Sequence, residues 1–233
     1  MQVFKRLSLL GVGLVFILPS LAQSKTLSAA DILQQMKRVY ASTKSYVDRG
    51  TVSSVFIDKG KKRVVEKPFS TAFVRPDRFR YEFREKKGFF KEDDKFVISL
   101  IGKGLKTYWS LDPEQQQIKP KTLGEALSAA AGISGGSARW VPTMLMPDRT
   151  QFKNAFTLSK PKRVNNEVVN GVECFQLSDP TDYRRLTLWI GKKDYLLRKI
   201  YREQDFGDFR LEETTNYNPE TDGEVKQELL NFQ

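Results

Sequence analysis

The stretch "GISGG", Gly132 to Gly136, has the G-x-S-x-G spacing that in hydrolases sets a serine nucleophile on a sharp strand-to-helix turn, so Ser134 is the first residue to test for chemistry. Such a serine needs a group to take its proton near neutral pH, usually histidine, and the 233-residue chain has none. The preceding residues, "TLGEALSAAA", read as a capped, alanine-rich helix, so no strand leads into the motif. A Ser-Lys dyad stays open on composition alone, but no spacing sets a lysine beside Ser134. With no histidine and a single cysteine, Cys174, only an all-oxygen metal site could form. The densest acidic run, "KEDDK" at Lys91 to Lys95, reads instead as a solvated hairpin tip. "GISGGSA" also lacks the lysine-hydroxyl pair that grips a phosphate. The sequence therefore favours a binding protein over an enzyme, with no metal and no cofactor.

The N-terminus sets the compartment. Lys5 and Arg6 precede the apolar run "LSLLGVGLVFIL", and Ser20 and Ala22 occupy small-residue cleavage positions, which predicts a signal peptide over residues 1–22. The run is well short of the roughly 20 apolar residues that span a bilayer. The expected product is one soluble domain over residues 23–233, periplasmic or secreted. The whole chain carries a formal charge of +11, and loss of Lys5 and Arg6 lowers it to +9. In an exported protein that excess suits an anionic membrane surface or an envelope protein as partner, and not nucleic acid. Cys174, in the strand-like "VECFQL", cannot form an internal disulfide and reads as a small buried hydrophobe.

In "SAADILQQMKRVYASTKSY", Ile32, Leu33, Met36, Val39 and Tyr40 share one helical face, with Ser28 and Asp31 as a capping box. From Tyr46 the period changes to two. "YVDRGTVSSVFID", "RVVEKPFSTAFVRP", "DRFRYEFREKK", "KFVISLIGKG" and "LKTYWSLD" read as successive strands. Thr122 and Glu125 then open a second helix, followed by the short apolar "SARWVPTMLMP". Strands resume at "FKNAFTLSKPKRV", "EVVNGVECFQLSD", "RRLTLWIGKKD", "YLLRKIYREQD", "FRLEETTNYN" and "EVKQELLNF". The expected fold is mainly β (α+β): a curled antiparallel half-barrel of about ten or eleven strands, with an N-terminal helix and mid-chain helices covering one face.

Bulky aromatics on the concave face of a curled sheet suit an apolar ligand. The candidates are Phe73, Phe79, Tyr81, Phe83, Trp109 and Trp189 from strands, with Leu127, Trp140 and Leu145 from the helical segment. Within that pattern, "FVRPDRFRYEF" and the later "LWIGKKDYLLRKI" resemble the LolA-like superfamily of periplasmic outer-membrane lipoprotein carriers. Lipoprotein-sorting relatives and the lipid-responsive domain of an envelope-stress regulator also belong to it. The resemblance implies a hydrophobic cavity for lipid acyl chains or a lipoprotein, closed by a helical lid, without catalysis. It implies that Arg75 latches the lid through backbone hydrogen bonds and that Phe79 lines the cavity wall. Gly132, Gly135 and Gly136 then become the expected lid hinge. The alternative is an envelope sensor or protein-interaction module using the same fold without transport; an enzyme comes third.

Overall fold

The computed structural model describes residues 27–85, 94–114, 116, 119–150, 156, 158, 160–181 and 184–232. The expected signal peptide, Lys91 to Asp93 of the acidic run and most of "FKNAFTL" lie outside the described residues.

Helix α1 (Ala29–Ser42) starts where the sequence caps it: the Ser28 hydroxyl accepts the Asp31 N–H at 3.1 Å, and the Asp31 carboxylate accepts the Ser28 N–H at 3.2 Å. Its buried stripe is Ile32, Met36 and Tyr40, one turn apart. Strands β1 (Ser45–Asp58) and β2 (Lys61–Val74) form a hairpin paired over all 14 residues of each. Both residues of its turn, Lys59 and Gly60, have positive φ (46° and 81°), the geometry that matches strand twist in a two-residue hairpin. Strands β3 (Arg78–Glu85), β4 (Asp94–Ile101) and β5 (Gly104–Trp109) continue the meander.

Three helices follow: α2 (Leu123–Ile133), α3 (Trp140–Leu145) and α4 (Pro147–Thr150). The chain then returns through β6 (Lys162–Arg163), β7 (Glu167–Val169), β8 (Val172–Pro180), β9 (Arg184–Gly191), β10 (Leu197–Asp205), β11 (Phe209–Asn216) and β12 (Glu220–Thr221). The strands form one antiparallel sheet in the order β5-β4-β3-β2-β1-β11-β10-β9-β8-β6, with β12 on β1 and β7 on β8. Strands β5 and β6 do not pair, so the sheet is open. Because α2 to α4 lie between these two edge strands in sequence, the chain must cross from one rim of the sheet to the other through them.

The described residues form twelve strands, three of them only two or three residues long. One expected strand is absent: "EVKQELLNF" forms a 3-10 turn at Gln227–Leu229. The remaining side of β1 is already occupied by β11 and β12, which leaves that segment no partner there. The second capping box is half formed. Thr122 Oγ1 accepts the Glu125 N–H at 3.2 Å, but the Glu125 carboxylate accepts from Lys121 rather than from the cap residue.

One buried cluster joins inward residues of both meander halves to α1, α2 and α3. In β3, Phe79, Tyr81 and Phe83 are fully buried, while Arg80 and Arg84 pair with Glu82 on the opposite face. Each fully buried phenylalanine contributes about 1.5–3 kcal/mol. The cluster also encloses a carboxylate. Asp48, 1% exposed, accepts the Tyr46 hydroxyl at 3.1 Å and the Asn218 N–H at 2.7 Å. Burial pushes its pKa up from 3.8 to about 6, against the opposing effect of those hydrogen bonds and of Arg198.

A raised native pKa stabilises the fold while the group is protonated, and that stabilisation disappears as pH rises from about 4 through 6. The unfolding free energy of Asp48→Asn should therefore gain on that of the wild type by up to about 3 kcal/mol across this window. Urea titrations at pH 4 and pH 6.5 measure the difference, and a constant difference between the two proteins would contradict the account.

Candidate functional site

The "GISGG" stretch ends α2 and brings the chain onto the sheet. Gly132 is still helical, the last residue but one of α2. Gly135 and Gly136 have φ of +60° and +85°, and the Gly136 N–H reaches back to the Ala131 carbonyl at 2.8 Å, as in a Schellman-type helix end. The backbone here lies too close to its surroundings for a side chain. A Cβ on Gly135 would sit 2.7 Å from Val52 Cγ1, and one on Gly136 would sit 2.0 Å from Trp140 Nε1.

Ser134 is fully buried, and its hydroxyl accepts the Ala138 N–H at 3.2 Å, a bond internal to the turn. The nearby Lys67 donates instead to the Ile133 carbonyl at 2.8 Å and pairs with Glu85 at 3.3 Å. Ser137 Oγ donates to the Ser134 carbonyl and takes a hydrogen bond with the Tyr81 hydroxyl at 2.7 Å, so the turn is fixed to β3. Burial holds the Tyr81 phenol well above its ordinary pKa, and it stays neutral. Burial likewise pushes the Cys174 thiol up, which suppresses the thiolate. Among the described residues no group of three or more acidic or cysteine side chains could hold a metal ion, and no helix is long and apolar enough to cross a membrane.

Two cations on β2 and its C-terminal end tie down the helical layer. Lys67 reaches the Ile133 carbonyl at the last residue of α2. Arg75, just after β2 and joined to Pro76 by a cis peptide, donates from NH2 to the Leu145 carbonyl at the last residue of α3, 3.1 Å away. Its Nε donates to Thr43 O at 3.0 Å, the C-cap of α1, and its own N–H to Lys44 O at 2.8 Å. The guanidinium also lies 5.2 Å from the centroid of the Phe73 ring. Both cations meet carbonyls that lack helical partners, at the negative end of the helix dipole. Lys67 was not among the candidates read from the sequence. Its signal was present: Val65, Lys67, Phe69, Thr71 and Phe73 alternate inward, and a lysine in such a row needs a buried partner.

The structure brings most of the candidate aromatics together. Phe73, Phe79, Tyr81, Phe83, Leu127 and Leu145 are fully buried in one cluster. Trp109 packs against its edge, 6.2 Å from Phe96, and donates to Asp94 at 3.2 Å. Trp140 packs edge-on to Phe156 at 4.7 Å. Trp189 stands apart, in a second cluster with Val169 and Cys174, while its neighbours Leu188 and Ile190 enter the main core. Its indole donates to Glu167 at 2.6 Å, and Lys199 Nζ sits 3.8 Å from the ring centroid. In this conformation side chains occupy the interior, and clefts lie at its rim. One of about 360 Å³ runs between α1 and the segment around Leu158; another of about 280 Å³ borders Gly136 and Trp140.

No protein-family model matches the sequence, and no curated protein matches it. Solved structures do. The complex of Pseudomonas aeruginosa MucA and MucB is similar at 12% identity and a TM-score of 0.45, over 88% of this chain and 60% of that one. LprF of Mycobacterium bovis is similar at 10% identity and a TM-score of 0.43, over 84% and 93%. A third similar structure is the LolA-superfamily protein NE2245 of Nitrosomonas europaea, at 8% identity and a TM-score of 0.29, over 89% and 99%. The solved structures that this chain resembles thus include a LolA-superfamily protein. The chain spans about three fifths of the length of the MucB chain it matches.

Gly136→Ala should lower stability by at least about 1–2 kcal/mol, from the left-handed backbone and the contact with Trp140. Gly132→Ala, helical and with open space at its Cβ, should be neutral or stabilising by up to about 1 kcal/mol. Chemical denaturation compares the two, and equal effects would contradict this assignment of the turn.

Proposed function

We propose that the protein is an exported, non-catalytic binder of acyl chains, belonging to lipids or lipoproteins of the cell envelope. The ligand takes the apolar face of the open sheet beneath α2 and α3. The observation that carries this reading is the way the apolar face is covered. Among the described residues no second sheet lies over this one, and of the helices that cover it α2 and α3 are held at their C-terminal ends by Lys67 of β2 and by Arg75 just after it. Hydrogen bonds to a charged donor contribute about 1.5–3 kcal/mol each. Burying a methylene returns about 0.8 kcal/mol, so a few carbons of an acyl chain offset the loss of one such tie. Arg75 is the latch in this reading. Gly135 and Gly136 are the link at which the angle between α2 and α3 changes.

Protein purified natively, without detergent, should yield lipid on organic extraction and mass spectrometry. A fluorescent fatty-acid probe should bind, and Arg75→Met should speed its entry several-fold. Absence of both extractable lipid and any probe response would sink the proposal.

A second reading, an interaction module without transport, is favoured by one surface. The β1–β2 and β10–β11 turns lie side by side, linked by the Lys59 N–H to the Asp208 carbonyl at 3.1 Å. They expose Phe206 (62%), Phe209 (37%) and Val64 (59%) beside Lys59, Lys61, Lys62 and Arg63. Aromatic side chains ringed by lysines suit an anionic membrane surface or an envelope protein. Under this reading the double variant Phe206→Ser, Phe209→Ser loses co-sedimentation with phosphatidylglycerol vesicles, and no acyl probe binds either protein. Unchanged sedimentation of the double variant would remove the surface from consideration.

A further inference from the structure

The rim cleft beside Gly136 carries charge that an acyl chain does not require. Three guanidiniums from three separate elements line its 280 Å³: Arg139 from the turn before α3, Arg184 at the start of β9, and Arg202 in β10. Its apolar walls are Trp140, Phe156 and Leu186. A cleft lined by both guanidinium donors and apolar rings is matched to an amphiphile.

Among the described residues of β8 to β11, two carboxylates are buried. Glu213, 5% exposed, is bound by Arg202 through Nε at 2.8 Å and through NH2, and it accepts the Ser54 hydroxyl at 3.1 Å. Asp179, 1% exposed, accepts the Lys160 N–H at 3.0 Å. Glu213 also fixes Arg202 in place, so part of the donor array is preorganised before any ligand arrives. Guanidinium forks are planar and match the paired oxygens of phosphate or carboxylate.

We infer that this cleft binds the anionic group, phosphate or carboxylate, of an amphiphilic ligand whose hydrocarbon part enters beneath the helices. The inference rests on the acyl-binding reading above and names the chemical class of its ligand. The anion sits at the joint between α2 and α3. Arg139 and Trp140 belong to the segment that would have to move, so headgroup contact and displacement of the helices involve the same residues.

Calorimetric titration of the full, delipidated chain with dodecyl phosphate, dodecanol and inorganic phosphate tests this. Dodecyl phosphate should bind at least tenfold more tightly than dodecanol. The double variant Arg139→Gln, Arg184→Gln should erase that preference and leave dodecanol affinity within twofold. In the wild type alone, raising sodium chloride from 50 to 500 mM should weaken dodecyl phosphate several-fold and dodecanol not at all, a readout that does not depend on the variant folding. Equal affinity for the two alkyl ligands would overturn the inference and leave the acyl-binding reading standing. Binding of inorganic phosphate alone, lost in the double variant, would retain the anion site, make free phosphate its source, and overturn acyl binding. Absence of all binding would overturn both.

Discussion

Phe73, Phe79, Tyr81 and Phe83 lie on one face of two adjacent strands, and an unclosed sheet gives them no facing sheet to meet. The other half of their core has to come from α1, α2 and α3, and most other features follow from that requirement. The helices come from two separate parts of the chain, so something must register them against the sheet. Arg75 does so for α1 and α3 through the Thr43 and Leu145 carbonyls, and Lys67 does so for α2. The Tyr81–Ser137 contact fixes the connecting turn to the middle of β3. A sheet-on-sheet sandwich would reach the same burial with interlocking side chains alone. Here polar ties at a few helix ends do much of the positioning.

The motif with the strongest catalytic spacing is explained by the same requirement. Gly135 and Gly136 are glycine because the turn presses against Val52, Glu213 and Trp140, and Ser134 is a small polar residue whose hydroxyl takes the Ala138 N–H inside a buried turn. Spacing alone could not separate these two origins of G-x-S-x-G. The absence of histidine and the capped helix before the stretch could, because both bear on what a nucleophile physically needs.

Where local pattern decides structure, the sequence was readable. The capping box at Ser28, the alternation of β3 and the Asn170-Gly171 turn, with φ of 49° and 78°, all form as their residue types direct. What was hidden depends on partners distant in sequence. "EVKQELLNF" has strand-like alternation, yet β11 and β12 occupy the side of β1 it would need. Trp189 reads as one of a row of large apolar residues, but Leu188 and Ile190 take the inward positions and leave the indole among Glu167, Cys174 and Lys199. Lys67 gained its importance from the Ile133 carbonyl, 66 residues away. The arginine cleft was equally out of reach, since Arg139 meets Arg184 and Arg202 only once β9 has paired with β10 and the turn before α3 has packed beside them.

An unclosed sheet has two edges, and each could template pairing with another molecule. One edge is β5, six residues long, with an exposed lysine, Lys106, at its centre. The other is divided: β6 and β7, of two and three residues, each cover a different part of β8. Neither edge presents a long, flat, apolar strand. The sheet thus stays unclosed without a surface on which copies of the chain would stack strand to strand.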